Sequence, residues 1–512
     1  SILIIISLAF FIPQFDFIMH ALHVPNDLPY RYSFLYSFIL MIICSYSIKN
    51  IKGLNPIIVI VSYLLPVIFL LVIKMCNLGN VDGKVLLVNL VLITLYFILY
   101  LIYYYDKKTS KYLKYALILI ASVEIICNIN FNWIHTDDIN DMYEYYDLIK
   151  ETVKKLDKVE ENNFYRLEKT FSTTLNDTSW YNYNGITTFS SMEYERMAML
   201  HHNLGINGNL INSYEFFLNT PVYNIMFDLK YLLGYIYDKD NYELIYENDK
   251  FNTYKFKYNT NLLYSVNNDI KDYKLENNNP ILNQNNFVYL STGIDNIFDK
   301  LNYKNKKIID VTDGLSLMEY TYKNNYINNY FYNNCDAEFY IINDTIYYKN
   351  DEILKYVNSK YYSSTNQLDE NMLINFISDN DEFKILIGTY YNENDIEVYS
   401  INSNKFNEAN NVLMQDKVKI EIFKDTYIKA NVNNKSNNTI YTSIPYDDEI
   451  KVYVDGKKVN TFMIGDALLG FDIESGKHVI EIKYQNNLMI VGSIISITTL
   501  LVILCIQKRK CK

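Results

Sequence analysis

The sequence predicts an α-helical polytopic membrane region, then an extracytoplasmic mixed α/β unit and an antiparallel β-sandwich, closed by a C-terminal transmembrane helix. Three observations predict it. Residues 1–128 and 488–506 are strongly apolar, whereas the stretch between them is rich in Asn, Tyr, Asp and Lys. Lys and Arg gather in alternate short segments between the apolar runs. Short β-rich runs broken by turn residues fill the last part of the polar stretch. A mean hydropathy of −0.08 averages the two populations and hides both.

A chain of 512 residues exceeds one ordinary domain and fits about three or four units of roughly 150 residues. Its formal charge of −11 excludes a general nucleic-acid binder, which needs a basic face to neutralise phosphates. Of the six cysteines only Cys335 lies well inside the polar stretch, so no disulfide can form within it. The first apolar run, Ile2–Ile12, has eleven residues, too few for roughly 30 Å of hydrocarbon, which takes about 20. It also lacks the basic flank and small-residue cleavage site of a signal peptide. With Ser1 in place of an initiator Met, the expectation is a first span that begins upstream of Ser1.

Four further apolar runs follow, at about Ser33–Ile48, Pro56–Ile73, Val85–Tyr104 and Tyr112–Ile126, and a last one at about Leu488–Ile506. The first and fourth of these are short for a span. Lys49 and Lys52 share one side with Lys107, Lys108, Lys111, Lys114 and the tail Lys508, Arg509, Lys510 and Lys512. The positive-inside rule makes that side cytoplasmic. Residues 13–32, 75–84 and about 130–487 then face outward. The expected division is 1–129 transmembrane, 130–260 mixed α/β, 261–487 mainly β, and 488–512 the last helix with its basic cytoplasmic tail.

Within the polar stretch, Tyr143, Tyr146, Ile149, Val153 and Leu156 recur three or four apart, which predicts a helix over Asp141–Val159. A strand at Phe164–Lys169 follows, then a helix at Met192–Asn203 ended by Gly205. Thr220-Pro221 marks another helix start, with Thr220 as N-cap and Pro at the first helical position. Strands are expected at Tyr231–Ile236, Glu243–Glu247 and Thr253–Tyr258. From 261 onward the pattern is mostly strand, with one helix near Asp369–Ser378. The closing sandwich is expected from Lys417–Phe423, Tyr427–Val432, Thr439–Pro445, Ile450–Val454, Leu469–Ile473 and His478–Tyr484. Asp455-Gly456 and Ser475-Gly476 are hairpin turns, since Gly tolerates positive φ. The adjacent pair His201-His202 points about 100° apart on a helix, which makes a poor chelate.

His20 followed by Pro25-Asn26-Asp27-Leu28-Pro29-Tyr30-Arg31-Tyr32-Ser33-Phe34 resembles the YfhO family of bacterial polytopic membrane proteins. Three further stretches resemble the same family. They are Tyr165–Lys169 with Tyr181–Gly185, then Pro221 through Lys230–Leu233, then Ile444–Asp448 with Val452–Lys457 and Gly476-Lys477-His478. The similarity spans essentially the whole chain. One departure is Glu449-Ile450, where a Gly-Trp pair is common in the family.

The resemblance implies the C-terminal part of a GT-C-type glycosyltransferase. Such an enzyme moves a sugar from a polyprenyl phosphate to a wall polymer, a teichoic or lipoteichoic acid, on the outer face. A carboxylate must handle the acceptor hydroxyl, and cations or donors must hold the phosphate leaving group. By the resemblance the main catalytic carboxylate is expected upstream of Ser1. The donor-binding candidates are Arg31, His20, His23, Asp27 and Asp16. Arg31 is always charged and suits phosphate, although a snorkelling Arg31 at the interface is the alternative. No metal ligands are assigned, and a divalent cation is compatible with the chemistry. The expected partners are the lipid bilayer, a polyprenyl-phosphate sugar and a wall glycopolymer. Trp180, Tyr181 and Tyr183 suit either sugar stacking or the core.

Two other functions compete. A membrane-anchored wall-polysaccharide-binding protein without catalysis would use the sandwich to grip polymer, but leaves the Pro-Tyr-Arg loop without a task. A lipid-linked sugar transporter would carry ionisable residues inside its spans, and Glu124 is nearly alone there.

Overall fold

A computed structural model describes residues 2–24, 30–49, 55–76, 81–105, 110–132 and 143–510, the last range apart from 144, 162, 172, 235–237, 239, 259, 313–314, 327, 334–338, 343–344, 349–361, 364–372, 378–380, 389–395 and 417. The chain forms two compact units, Ser1–Asp137 and Asp138–Lys512.

The first unit is helical: α1 Ile2–Ala9, α2 Pro13–Met19, α3 Ser33–Lys49, α4 Pro56–Cys76, α5 Gly83–Tyr105 and α6 Ser110–Asn132. Within this unit α4, α5 and α6 are long and apolar enough to cross a membrane, and α1 with α2 form one apolar pair bent by 112°. α3 is apolar but shorter. Residues 13–19 therefore are not loop, as the sequence reading has them. Pro13 sits at the first helical position, where a missing N–H costs nothing, and the helix turns the chain sharply back. α6 runs six residues beyond the expected Ile126 end. Its Asn130 amide donates to the Ile126 carbonyl at 2.9 Å, so a polar side chain is satisfied by its own helix. Polar pairs tie the long helices. The Tyr63 hydroxyl lies 3.3 Å from Thr94 Oγ1, whose own hydrogen goes to the Leu90 carbonyl, so Tyr63 donates. Tyr63 also stacks on Phe97 at 4.3 Å, and Tyr96 donates to Glu124.

The second unit opens with the Tyr146–Val159 helix, whose buried Ile149, Val153 and Leu156 lie on one face. Residues 141–142, the expected start, lie outside the described residues. That face covers a four-stranded sheet in which Arg166–Lys169 runs parallel to Leu229–Gly234, followed by Asn252–Phe256 and Tyr242–Tyr246 antiparallel. Leu167, Tyr231, Leu233 and Phe251 complete this core. The helix expected at Met192–Asn203 forms over Glu195–Asn203. Thr220 caps the Pro221–Phe227 helix, its side chain accepting from the Tyr223 amide.

Among the described residues two α-helices interrupt the region read as mostly strand. Pro280–Thr292 starts at an Asn279 cap with Pro at its first position and ends at Gly293 in the left-handed region (φ 83°). Ser403–Leu413 starts at an Asn402 cap and buries Phe406, Ala409, Asn410 and Leu413. Conversely, the helix expected near Asp369–Ser378 is absent where described: Ile374–Ile377 is a strand paired antiparallel with Asn328–Phe331. Its alternating Ile374 and Phe376 fit a pleat better than a helix face. Residues 369–372 and 378 lie outside the described residues.

The closing part is a two-sheet arrangement. Lys419–Lys424, Tyr427–Asn434, Gly476–Tyr484, Ile450–Val454 and Lys457–Lys458 form one sheet. Thr461–Ile464, Leu468–Ile473, Asn438–Pro445 and Leu263–Val266 form the other. Ala430, Val432, Ile440, Val452, Phe471, Ile480 and Ile482 lie buried in one shared core. Ile450 belongs to that core too, so the departure at Glu449-Ile450 supplies an aliphatic core residue. A larger core runs from Ile186 to Leu468 and draws on both sides of position 260. The Arg166 guanidinium joins the parts, donating to the Phe227 carbonyl at 2.5 Å and to Ser443 Oγ at 2.6 Å. The Asn487–Lys510 helix ends the unit and is long and apolar enough to cross a membrane.

Candidate functional site

In the helical unit the sharp turn between α1 and α2 gathers a polar cluster. Asp16 lies in the first turn of α2, where the positive end of the helix favours a carboxylate. His20 follows four residues later, on the same helix face. Its Nδ1 lies 3.0 Å from the Asp16 carbonyl oxygen and 3.3 Å from Asp16 Oδ1. A carbonyl oxygen only accepts, so Nδ1 carries the hydrogen and the neutral ring offers Nε2 as an acceptor. Because that hydrogen points at the carbonyl, the contact with Oδ1 is electrostatic and not an aligned hydrogen bond. Tyr32 closes the cluster, its hydroxyl coupled to the Asp16 carboxyl and its ring 5.5 Å from the His20 ring.

An aromatic wall holds these groups in place. Phe10 stacks on Tyr32 at 5.6 Å and an interplanar angle of 12°, and meets Tyr30 and Tyr36 edge-on. Ile6, Ala9 and Tyr32 are buried together, with Phe15 and Met19 against them. Asp16 is itself buried. Within this setting His20 Nε2 is buried and has no hydrogen-bond partner, while the Asp16 carboxyl and the Tyr32 hydroxyl are buried beside one another. Leaving a buried polar group unpaired costs about 1–3 kcal/mol, so an open Nε2 beside a buried carboxyl and hydroxyl points to a site built for a ligand and not for stability.

The chemistry available is plain. An imidazole fixed by Asp16 presents Nε2 as a base when neutral and as a donor to an anion when protonated. The Tyr32 hydroxyl donates or accepts. Of the residues named from sequence, Asp16 and His20 are brought together. His23 is exposed three residues further along the chain, and Arg31 is exposed next to Tyr32. Asp27 lies outside the described residues, as does the rest of 25–29. Tyr32 escaped the sequence reading as a site residue although it stands in the Pro-Tyr-Arg-Tyr stretch; nothing in the sequence says that its hydroxyl turns toward Asp16. Among the described residues no group of three or more His, Cys, Asp and Glu side chains is placed to hold a metal ion.

The motifs around this cluster have a counterpart: the family described as bacterial membrane protein YfhO matches residues 1–496. The chain belongs to the YfhO family. It is therefore a membrane protein, and its apolar helices are those of a bilayer-embedded chain. The match covers the helical unit, the polar unit and part of the last helix of this YfhO protein, so both units are part of the family architecture. No curated protein and no solved structure matches the chain.

Proposed function

We propose that this YfhO-family chain is part of a membrane glycosyltransferase of the GT-C kind, working on the outer face of a bacterial membrane. It takes a sugar from a polyprenyl-phosphate donor and passes it to a wall glycopolymer, a teichoic or lipoteichoic acid. The observation that carries this reading is the buried Asp16–His20–Tyr32 cluster with its unpartnered His20 Nε2, set beside the bend of an apolar helix pair.

A lipid-linked donor places its phosphate at the membrane surface and its isoprenoid tail among apolar helices. A bent helix pair with a polar cluster at its elbow suits both halves of such a ligand. Asp16 holds Nδ1 of His20, so protonated Nε2 donates to a phosphate oxygen, as does the Tyr32 hydroxyl. Arg31, adjacent in the chain, supplies a permanent positive charge for the leaving group. As the glycosidic bond breaks, charge grows on the phosphate, and fixed donors there favour the transition state over the ground state. The basic segments around Lys49, Lys107 and Lys508 belong on the cytoplasmic side in this reading, which puts the polar unit outside with the wall polymer.

The test is wall-polymer sugar analysis in a deletion strain, complemented by the complete gene, its His20→Ala form or its Arg31→Ala form. Loss of one sugar on deletion, restored by the unmodified gene alone, is the expected result. Restoration by both variants would remove the cluster and Arg31 from the donor site. An unchanged sugar profile in the deletion strain, with transfer also absent in membranes from an overexpressing strain, would overturn the transferase reading.

A further inference from the structure

Two of the stretches singled out in the sequence, Tyr165–Lys169 with Tyr181–Gly185 and, far along the chain, Ile444–Asp448, come together around one cavity in the polar unit. Its volume is about 340 Å³, within the range of roughly 300–1,000 Å³ typical of small-ligand sites. Phe164 and the strand residue Arg166 form one side, residues Tyr183–Thr188 a second, and Glu193, Met197 and His201 a third. Tyr214, Phe227, Ser443 and Pro445 complete it.

The loop is built to be open there. Buried Glu168 accepts from the Thr187 amide at 2.7 Å and the Thr187 hydroxyl at 3.1 Å, and from the Ile186 amide. This pins the loop from behind. Gly185 is required at its tip: a Cβ would come within 2.6 Å of Thr178, 2.8 Å of Glu168 and 2.9 Å of Tyr183. On the far side Arg196 donates to the Tyr446 carbonyl and Tyr194 to Asp447, which holds the Ile444–Asp448 stretch against the cavity.

The charges do not favour an ion. The Arg166 guanidinium is already engaged, with the Phe227 carbonyl, Ser443 Oγ and the Ser443 carbonyl at 3.1 Å. Glu193 contributes the opposite sign and accepts from Tyr214 at 3.4 Å. His201 is turned to Tyr223, 2.7 Å from its hydroxyl, and stacks on Tyr214 at 4.0 Å. What remains available is neutral and able to hydrogen-bond. Tyr183 is nine-tenths buried, lines the cavity, and its hydroxyl has no partner. Asn184 is exposed beside it, and Thr178 and Thr188 add hydroxyls at the wall. Phe164, Tyr214 and Phe227 give aromatic surface.

Neutral donors and acceptors beside aromatic surface, with no net sign, match a polyhydroxylated ring. We propose that this cavity binds a neutral hexopyranose unit of a glycan, with the Tyr183 hydroxyl and the Asn184 amide holding ring hydroxyls. The inference rests on the transferase reading only for what the bound sugar serves, namely holding the acceptor polymer in the polar unit. Binding itself needs nothing from the Asp16–His20–Tyr32 cluster.

The experiment is ligand-observed saturation-transfer NMR on the full chain in detergent, with glucose, galactose, N-acetylglucosamine, ribitol and glycerol phosphate as probes. At least one hexopyranose is expected to show transfer. The isosteric Tyr183→Phe together with Asn184→Ala should weaken that binding about tenfold, while near-ultraviolet dichroism and melting stay as in the unmodified chain. Gly185→Ala should weaken binding by displacing the Thr178, Glu168 and Tyr183 side chains that its Cβ would meet. His20→Ala should leave it intact, so a failed transferase reading with preserved sugar binding is recognisable as such. No transfer to any hexopyranose, equal binding by the Tyr183→Phe/Asn184→Ala form, or preference for glycerol phosphate over every neutral sugar would each overturn the proposal.

Discussion

Arg166 reaches across 277 positions of sequence to Ser443, donating to its hydroxyl at 2.6 Å and to its carbonyl at 3.1 Å. The same guanidinium donates to the Phe227 carbonyl at 2.5 Å, so one side chain fastens the first strand, the end of the Pro221–Phe227 helix and the closing two-sheet part. Replacing it by Leu leaves those acceptors without a donor, at about 1–3 kcal/mol each. Arg166→Leu should destabilise the polar unit by about 3 kcal/mol or more, read as a lower melting temperature of the purified chain. Ser443→Ala removes one acceptor only and should cost about 1 kcal/mol.

Glu168 gives the polar unit a pH dependence. Burial pushes its carboxyl from an ordinary 4.5 up to about 7, against the opposing pull of the Ile186 and Thr187 amides. The folded form thus holds a proton that the unfolded form has released between about pH 4.5 and 7. Stability from this group is fully present below the lower value and falls as pH rises through the upper, by up to about 1.4 kcal/mol per pH unit. Asp228 acts in the same direction, burial raising it to about 7 with Arg166 pulling it back. Melting curves at pH 5 and pH 8 should therefore differ more for the unmodified chain than for Glu168→Gln. An equal pH dependence in both would show that Glu168 is not the source.

His20→Ala should lower kcat/KM for a polyprenyl-phosphate sugar about tenfold to a hundredfold in membrane assays, mainly through kcat, the range expected for a lost hydrogen bond to a charged group. His20→Asn, which keeps a donor near the Nε2 position, should recover part of it. A rise in KM with unchanged kcat would instead assign His20 to ground-state binding of the donor alone.

The proposed sidedness has a direct readout. Met192 is among the most exposed side chains of the polar unit, at 88%. In a chain without its native cysteines, Met192→Cys should react with a membrane-impermeant maleimide in intact cells, whereas Lys508→Cys should react only after permeabilisation. The reverse pattern would place the polar unit in the cytoplasm.

Much of the architecture was legible because its signals are local. Runs of apolar residues give the long helices, since burial of twenty apolar side chains in lipid needs no distant partner. Thr220-Pro221 gave a helix start because a cap is made within four residues. Asn279-Pro280 and Gly293 carry the same kind of signal, yet the helix between them went unread: its interior Asn283-Gln284-Asn285-Asn286 masks the apolar period. Two of those amides are not solvated there. Asn283 and Gln284 are buried and donate to the Asn203 and Leu204 carbonyls at 2.7 and 3.0 Å, so long-range hydrogen bonds replace the expected hydrophobic face.

By itself the sequence determined which segments are apolar enough for a bilayer, most strands of the closing sheets and the Asp455-Gly456 hairpin, and the segment in which Asp16, His20 and Arg31 stand. Those properties depend on composition and on spacing within a few residues. Ser475-Gly476, read as a hairpin turn, instead joins strands of different sheets. Only the tertiary structure decided that Pro13–Met19 turns back so that Tyr32 meets Asp16 and His20. It alone also decided that Leu263–Val266 joins a sheet with Asn438–Pro445, and that two distant stretches enclose one cavity. Contacts of that kind are set by packing and by the pairing of buried polar groups across hundreds of residues, and no local pattern encodes which partner a side chain will find.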